Sequence, residues 1–182
     1  FVIWARQIIA ATAFLFVIKK LWKSCTYQKG DLKLLLLMSL FEPCLYFIFE
    51  AMALVNTSAS QAGMLTSMLP LLVAIAAFFV LKEKTTSLTW IGFVTAITGA
   101  VILSGFSTAT EEAPNPMLGN FLEFMAMVCA TGYTITLKKL SSRYNPFFLT
   151  AIQCFVGTFF FFPLIFIGSK GFPGSFEPFP AL

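Results

Sequence analysis

Six apolar runs follow one another along the chain, and each has about 18 to 21 residues, enough for a helix to cross a hydrocarbon core of about 30 Å. We name these runs spans A to F. Their predicted bounds are about Phe1–Leu21 (A), Lys33–Leu54 (B), Ser60–Leu81 (C), Leu88–Phe106 (D), Met117–Leu140 (E) and Pro146–Gly168 (F). Because backbone polar groups in lipid must pair within the protein, these runs predict an all-α, polytopic transmembrane helix bundle whose main partner is the lipid bilayer.

The composition excludes an ordinary soluble domain. Hydrophobic residues make up 58% of the chain and charged residues only 11%, whereas globular domains are about 25% charged. The net charge of +4 does not indicate nucleic acid as a partner, because the basic residues lie mostly in short connections between spans. Too little soluble sequence remains for a separate enzyme domain.

The basic residues indicate the orientation of the spans. Ten of the twelve Lys and Arg residues lie in every second connection: Lys19, Lys20, Lys23, Lys29 and Lys33 between A and B, Lys82 and Lys84 between C and D, and Lys138, Lys139 and Arg143 between E and F. The B–C connection has no charge, and the D–E connection carries only Glu111 and Glu112. The positive-inside rule therefore predicts that the A–B, C–D and E–F connections are cytoplasmic, in the inner (plasma) membrane of the cell.

Residue types that many enzymes and metal sites use are missing from the sequence. There is no His, the four Cys are single and widely spaced, and no nucleotide-binding loop or hydrolase motif occurs. An integral membrane enzyme acting on lipid-linked substrates would want a His, paired Asp residues or a metal cluster near one membrane face. We therefore expect no catalytic residue, no cofactor and no metal.

Four ionisable residues lie within the apolar spans: Arg6, Glu42, Glu50 and Glu123. A charge at mid-membrane costs about 2.5 kcal/mol or more, so such residues usually face a protein interior or a water-filled cavity. Glu42 lies near the middle of span B, and we expect it to have a role in such a cavity. For Arg6 we expect an ion pair with Glu50 or Glu123, either in the cavity or only to fix the packing of helices.

Span B presents several polar groups on one face and a break beside them. Glu42, Tyr46 and Glu50 are spaced by four residues, and Pro43 kinks the helix next to Glu42. Pro70 predicts a second break, in span C. Broken helices at membrane depth are tolerated where they line a cavity, so a polar cavity between spans B, C and E is predicted. Its predicted residues are Glu42, Tyr46, Glu50, Gln61, Ser67, Pro70, Glu123 and Tyr133, although Gln61, Ser67 and Tyr133 fit bonds between helices equally well.

Small residues follow one face of span D. Gly92, Ala96, Ala100 and Ser104 are each four residues apart, which predicts a ridge that another helix can approach closely. The ridge is expected to pack helices, either within the chain or between two copies in a homodimer.

An ordered series of short motifs resembles the EamA-type family of drug/metabolite transporters. The series consists of Ala53-Leu54, the turn Thr57-Ser58-Ala59-Ser60-Gln61-Ala62-Gly63, Leu69-Pro70, Leu81-Lys82-Glu83-Lys84, Trp90-Ile91-Gly92 and Gly99-Ala100-Val101. Arg6 in the first span also fits the family pattern. The motifs extend over about 50 residues in the family's order, and the predicted topology agrees with that family's.

The resemblance implies a ten-span fold made of two inverted five-helix repeats. Spans A to D would be the family's second to fifth spans, in residues 1–106, and spans E and F its sixth and seventh, in residues 117–182. Residues 107–116 would be a periplasmic linker. The chain starts inside an apolar run and ends in a Pro-rich tail, so we expect a fragment of a longer protein.

The resemblance also implies export or exchange of small metabolites, among them amino acids, their derivatives and drug-like compounds, through a cavity to which the third, fourth and sixth spans contribute. These are spans B, C and E. We therefore expect a secondary transporter working by alternating access, in which Glu42 binds a substrate amine or a coupling proton. Three carboxylates against one Arg favour cationic or zwitterionic substrates. The alternative interpretation is a non-transporting membrane scaffold that uses the ridge of span D.

Overall fold

The structure, a computed structural model, describes residues 2–16, 28 and 30–168. The described residues form eight α-helices and one π-helical segment, and no β-strand occurs among them. The helices are α1 (Val2–Leu15), α2 (Asp31–Ser39), α3 (Tyr46–Asn56), α4 (Ala59–Thr66), α5 (Leu69–Leu81), α6 (Ser87–Phe106), α7 (Pro116–Ser141) and α8 (Pro146–Gly168), and the π-helical segment is Leu40–Leu45. The predicted all-α helix bundle is confirmed.

These helices correspond to the predicted spans. Span A is α1, span B runs from α2 to α3, span C is α4 with α5, and spans D, E and F are α6, α7 and α8. Spans B, C, D and F are long and apolar enough to cross a membrane. Helix α7 is long enough, with 26 residues, but carries more polar side chains. Helix α1 is a shorter apolar helix, and the predicted end of span A at Leu21 lies outside the described residues.

Span B is interrupted beside Glu42, as Pro43 predicts. Glu42 has extended backbone angles (φ −142°, ψ 122°) between the two helical parts of the span. A proline lacks the backbone N–H and its ring collides with the preceding turn, so a regular helix cannot continue through Pro43. Pro43 is buried against span F, where a β-carbon on Gly157 would lie only 2.7 Å from its ring.

Span C is interrupted at Ser67 and Met68, between α4 and α5. Pro70 lies in the first turn of α5, where its missing N–H removes no helical hydrogen bond. The break therefore falls just before the proline that predicts it. Thr66, the last residue of α4, lies beside the break, and its side chain faces span E.

Helix α7 is the centre of the bundle. It packs against α2, the π-helical segment, α3, α4, α5 and α6, and half of its residues are buried. Its small residues permit this close approach: a β-carbon on Gly119 would lie 2.6 Å from Thr57, and one on Gly132 would lie 2.7 Å from the ring of Phe41. Helix α8 packs instead on α1 and on the broken part of span B.

The connections meet at two ends of the bundle. At one end, the A–B and E–F connections are joined by Arg143 and Asp31 (2.8 Å), and the C–D connection is joined to the end of span E by Glu83 and Lys138 (2.5 Å). At the other end, the backbone N–H of Asn115 in the D–E connection donates to the carbonyl of Asn56 in the B–C turn (3.1 Å). This is the grouping of connections that the charge pattern predicts. Lys19, Lys20, Lys23 and Lys29 lie outside the described residues.

Helix α6 lies at the edge of the bundle and has no buried residue. Its predicted ridge residues Gly92, Ala96, Ala100 and Ser104 are all half-buried. Gly92 faces Leu71 of α5, and Ser104 accepts a hydrogen bond from Asn120 of α7 (3.2 Å). The ridge is thus turned towards spans C and E of the same chain. The helix starts within one residue of the predicted bound, and the Thr86 hydroxyl caps it by accepting a hydrogen bond from the backbone N–H of Thr89.

Candidate functional site

The carboxylates of spans B and E lie in one region of the bundle. The Tyr46 hydroxyl donates to Oε1 of Glu50 (2.7 Å), which fixes two of the predicted residues on one face of α3. Glu50 is within electrostatic range of Glu42 on its own span and of Glu123 on span E. Three acidic side chains therefore share one polar region inside an apolar bundle.

The broken segment at Glu42 is held by span F. The Gln153 amide donates to the backbone carbonyl of Glu42 (3.0 Å), a group that the break leaves without a regular helical partner. The Tyr133 hydroxyl of α7 donates in turn to Oε1 of Gln153 (3.3 Å) and lies within electrostatic range of Glu42. Tyr133 and Glu42 are thus brought together through Gln153.

Gln153 is a functional candidate that sequence reasoning missed. A buried Gln in an otherwise apolar run is itself a signal, and Gln7 in span A is buried in the same way. The two share a faint local similarity, since Trp4-Ala5-Arg6-Gln7 resembles Thr150-Ala151-Ile152-Gln153. Gln7 lies where α1 and α8 pack on each other and faces Gly157, whereas Gln153 faces the broken part of span B and Tyr133 of α7.

Glu123 is buried where span E crosses the break in span C. Its side chain is 2% exposed, and its Oε1 accepts a hydrogen bond from the Thr66 hydroxyl (2.9 Å). Its Oε2 is buried and has no hydrogen-bond partner among the described residues. An unpaired buried carboxylate oxygen is costly unless a proton or a ligand occupies it.

Arg6 does not form the ion pair that its sequence position led us to expect. Its guanidinium lies over the ring of Phe47, 4.6 Å from the centroid, and the salt bridges of the described residues do not include it. A cation over an aromatic face is stabilised by the ring quadrupole. Arg6 remains within electrostatic range of Glu42, so it belongs to the same polar region.

Gln61 belongs to a separate polar network at the end of the bundle formed by the B–C turn. Its Oε1 accepts hydrogen bonds from Thr57 (3.0 Å), Asn120 (3.1 Å) and Ser107 (3.3 Å). The Thr57 hydroxyl also lies 2.7 Å from Oδ1 of Asn120, and both residues are fully buried. The network joins spans C, D and E, which fits the packing role that the sequence left open for Gln61.

Ser67 and Pro70 face away from the carboxylates. Both are exposed, and the Ser67 hydroxyl donates to the Met64 carbonyl (2.6 Å). Ser67 lines an apolar groove of about 420 Å³ between spans C and D, together with Ala96 and Ala100. The predicted residues brought together around Tyr46 are therefore Glu42, Glu50 and Glu123, and Tyr133 lies within electrostatic range of Glu42. Among the described residues, no group of three or more Cys, Asp or Glu side chains is placed to hold a metal ion.

Comparison with known proteins decides the family. The model of the EamA-like transporter family matches residues 1–105 and 117–182. The chain belongs to the EamA-like transporter family. Individual curated transporters are only distantly similar to the chain, and no solved structure matches it.

Three relatives of this chain bear the name of uncharacterized transporters. The chain is 28% identical to YetK of Bacillus subtilis (strain 168) over 93% of its length and 26% identical to YcxC of the same organism over 85%. It is 28% identical to a transporter of Archaeoglobus fulgidus over 96% of its length. The chain spans 52%, 50% and 64% of these relatives, respectively, so about half to two thirds of their length.

The turn between spans B and C, which carries part of the resemblance to the family, has a structural role in this chain. Thr57 and Gln61 are the two polar side chains of the turn that reach Asn120 on span E. Ser58 caps α4 by accepting a hydrogen bond from the backbone N–H of Gln61. The turn thus caps the start of α4 and forms hydrogen bonds with α7.

Proposed function

We propose that this protein is a secondary transporter that moves small metabolites across the inner (plasma) membrane by alternating access. The observation that carries the proposal is the group of acidic residues Glu42, Glu50 and Glu123 inside the bundle, with Glu42 at the break of span B and Glu123 bonded to Thr66 beside the break of span C. Acidic residues inside a membrane bundle mark substrate or ion pathways by default, because their burial is too costly to serve lipid contact. Membership of the EamA-like transporter family supports this function.

The charges of the cluster favour cationic or zwitterionic substrates, such as amino acids, their derivatives and cationic drug-like compounds. Two polar side chains lie beside Glu42: Gln153, which donates to the backbone carbonyl of Glu42, and Tyr133, which is within electrostatic range of it. A substrate amine at Glu42 would therefore meet a carboxylate and polar side chains together. Arg6 lies on the same side and would contact the carboxylate of a zwitterion. We propose that the transport is export or exchange and that protons drive it.

The whole transporter is proposed to have ten spans in two inverted repeats, with spans A to D in residues 1–106 and spans E and F in residues 117–182. The two stretches matched by the family model support this division, with residues 107–116 as a periplasmic linker. The end of the bundle that carries Asp31, Glu83, Lys138 and Arg143 is proposed to be cytoplasmic, because basic residues favour that side.

The test is transport by the full-length protein in proteoliposomes. Proton flux and substrate movement are recorded for a panel of amino acids and cationic metabolites, with Glu42→Gln compared with Glu111→Gln. Glu111 is an exposed carboxylate of the D–E connection, so it controls for loss of one negative charge. We expect substrate-dependent flux that Glu42→Gln abolishes and Glu111→Gln retains.

Two results would contradict parts of the proposal. Transport that is equal in both variants would remove Glu42 from the substrate site. If size-exclusion chromatography shows that the protein is folded and yet no compound of the panel moves, transport of this substrate class is contradicted.

The second candidate is a membrane scaffold that binds partners through the ridge of span D. The ridge residues are half-buried against spans C and E, and this arrangement leaves them little surface for another protein. A homodimer formed by span D would use its other face, where Ile91, Val94 and Val101 are exposed. We therefore favour transport.

A further inference from the structure

Glu123 combines full burial with an oxygen that has no partner. Oε1 accepts from Thr66, whereas Oε2 is buried and has no hydrogen-bond partner among the described residues. Glu123 is the eighth residue of α7, about 10 Å along the helix from its start at 1.5 Å per residue. It is therefore well inside the bundle, at a depth similar to that of Thr66 in α4 and Glu50 in α3.

The charges around Glu123 do not compensate an ionised carboxylate. The ionisable group within electrostatic range of Glu123 is Glu50 of α3, a second acidic residue, and the Tyr46 hydroxyl donates its hydrogen to Glu50. Spans C and D, which also border α7, contain no ionisable residue in α4, α5 or α6. Arg6 of α1 lies near Glu42 and Cys154 instead. A carboxylate next to a like charge in an apolar interior is strongly disfavoured unless it takes up a cation.

The Thr66 hydroxyl shows which cation fits. Its oxygen lies 2.9 Å from Oε1 of Glu123 and 2.9 Å from the carbonyl oxygen of Ala62. A hydroxyl has one hydrogen, so it can donate fully to only one of these two acceptors. If Glu123 is protonated on Oε1, that O–H donates to the Thr66 oxygen and the Thr66 hydrogen donates to Ala62, so both contacts are satisfied at once. Oε2 is then an uncharged carbonyl oxygen, which costs less to leave unpaired than an oxygen of a charged carboxylate.

We propose that Glu123 binds the proton that drives transport, with Thr66 as its hydrogen-bond partner at the break of span C. The proposal rests on the proposed function and assigns a division of labour within it, since Glu42 is left for the substrate. When Glu123 releases its proton to water, the carboxylate takes the Thr66 hydrogen away from Ala62. The last turn of α4 then loses a hydrogen bond next to the break, which couples protonation to the shape of span C.

The direct test is infrared difference spectroscopy of the full-length protein in lipid, titrated from acid to alkaline pH. We expect the C=O stretching band of a protonated carboxylic acid, lost in Glu123→Gln and retained in Glu111→Gln. Thr66→Val, which keeps the side-chain shape and removes the hydroxyl, should shift the band without abolishing it. If Glu123→Gln does not fold, the shift in Thr66→Val still decides the question.

Transport assays separate this inference from the proposed function. We expect accumulation driven by a pH gradient to be lost in Glu123→Gln, while exchange of substrate against substrate persists. An unchanged band and unchanged pH-driven accumulation in Glu123→Gln would overturn the inference and leave transport intact. A band that vanishes in Glu123→Gln, in a protein that moves no compound, would overturn the proposed function and with it the driving role of Glu123, and only the protonation of Glu123 would stand. A band that appears only when sodium is removed would contradict the proton as the resident cation.

Discussion

Gly119 lies so close to Thr57 that a β-carbon added to the glycine would be 2.6 Å from both the Thr57 backbone nitrogen and its Cβ. The Thr57 nitrogen belongs to the backbone, so it cannot rotate away as a side chain could. We expect Gly119→Ala to lower the free energy of unfolding by about 1–3 kcal/mol, the usual cost of overpacking. The check is thermal unfolding in detergent, with Gly99→Ala as the control because no atom lies within 4 Å of its added carbon.

The amide of Gln153 holds the carbonyl of Glu42 at the break of span B. Gln153→Leu keeps the approximate side-chain size and leaves this buried carbonyl without its donor, so we expect a loss of about 1–3 kcal/mol in stability. Thr158→Val on the same helix removes a hydroxyl that bonds only within the helix, and it should cost clearly less. Equal losses in the two variants would show that Gln153 does not support the break.

Asn120 and Ser104 couple spans E and D through a hydrogen bond of 3.2 Å. A double-mutant cycle of Asn120→Ala and Ser104→Ala should give a coupling energy of about 0.6 kcal/mol, the average for such bonds in membranes. The control cycle pairs Asn120→Ala with Thr95→Ala, because the Thr95 hydroxyl bonds within its own helix. That cycle should be additive within error.

Two ion pairs at the same end of the bundle differ in burial, and so they should differ in energy. The Asp31 side chain is 3% exposed and pairs with Arg143, whereas the side chains of Lys138 and Glu83 are 56% and 44% exposed. We expect Arg143→Met to cost roughly 2 kcal/mol or more, since among the described residues it leaves the buried carboxylate the Tyr144 hydroxyl and the Gln28 N–H as hydrogen-bond donors. Lys138→Met should cost about 0–1 kcal/mol. Chemical denaturation of the two variants in the same detergent compares them directly.

The proposed orientation predicts which loops reach which compartment. In a cysteine-free background, Lys84→Cys should react with a membrane-impermeant thiol reagent only from the cytoplasmic side, and Glu111→Cys only from the outside. Both positions are exposed in the structure. The reverse labelling pattern in sealed vesicles of known orientation would contradict the positive-inside assignment.

Local chemistry made much of the fold predictable. Spans B to F begin and end within two residues of their predicted bounds, and the breaks beside Pro43 and before Pro70 follow from what proline does to a helix. The ridge of span D faces the bundle because small residues at a spacing of four permit close approach. Each of these features depends on residues that are near one another in the sequence.

The candidate site was less predictable, because its contacts join residues that are far apart. Thr66 and Glu123 are 57 positions apart, and Gln153 and Glu42 are 111 positions apart. Periodicity shows which face of one helix is polar, but the partner depends on how non-neighbouring helices pack. Arg6 illustrates this, since its guanidinium lies over the ring of Phe47, a contact that the sequence did not indicate.

The central position of α7 has a consequence for biogenesis. Helices α1 to α6 emerge from the ribosome before α7, yet the contacts that bury spans B and C are mostly contacts with α7, and α1 packs mainly on the still later α8. Spans A to D would therefore remain inserted in the membrane but loosely associated until spans E and F are synthesised. Translation stalled or truncated before Pro116 would leave Glu42, Glu50 and the Thr57 turn without their neighbours, and such a nascent chain is the form that membrane quality-control proteases would meet.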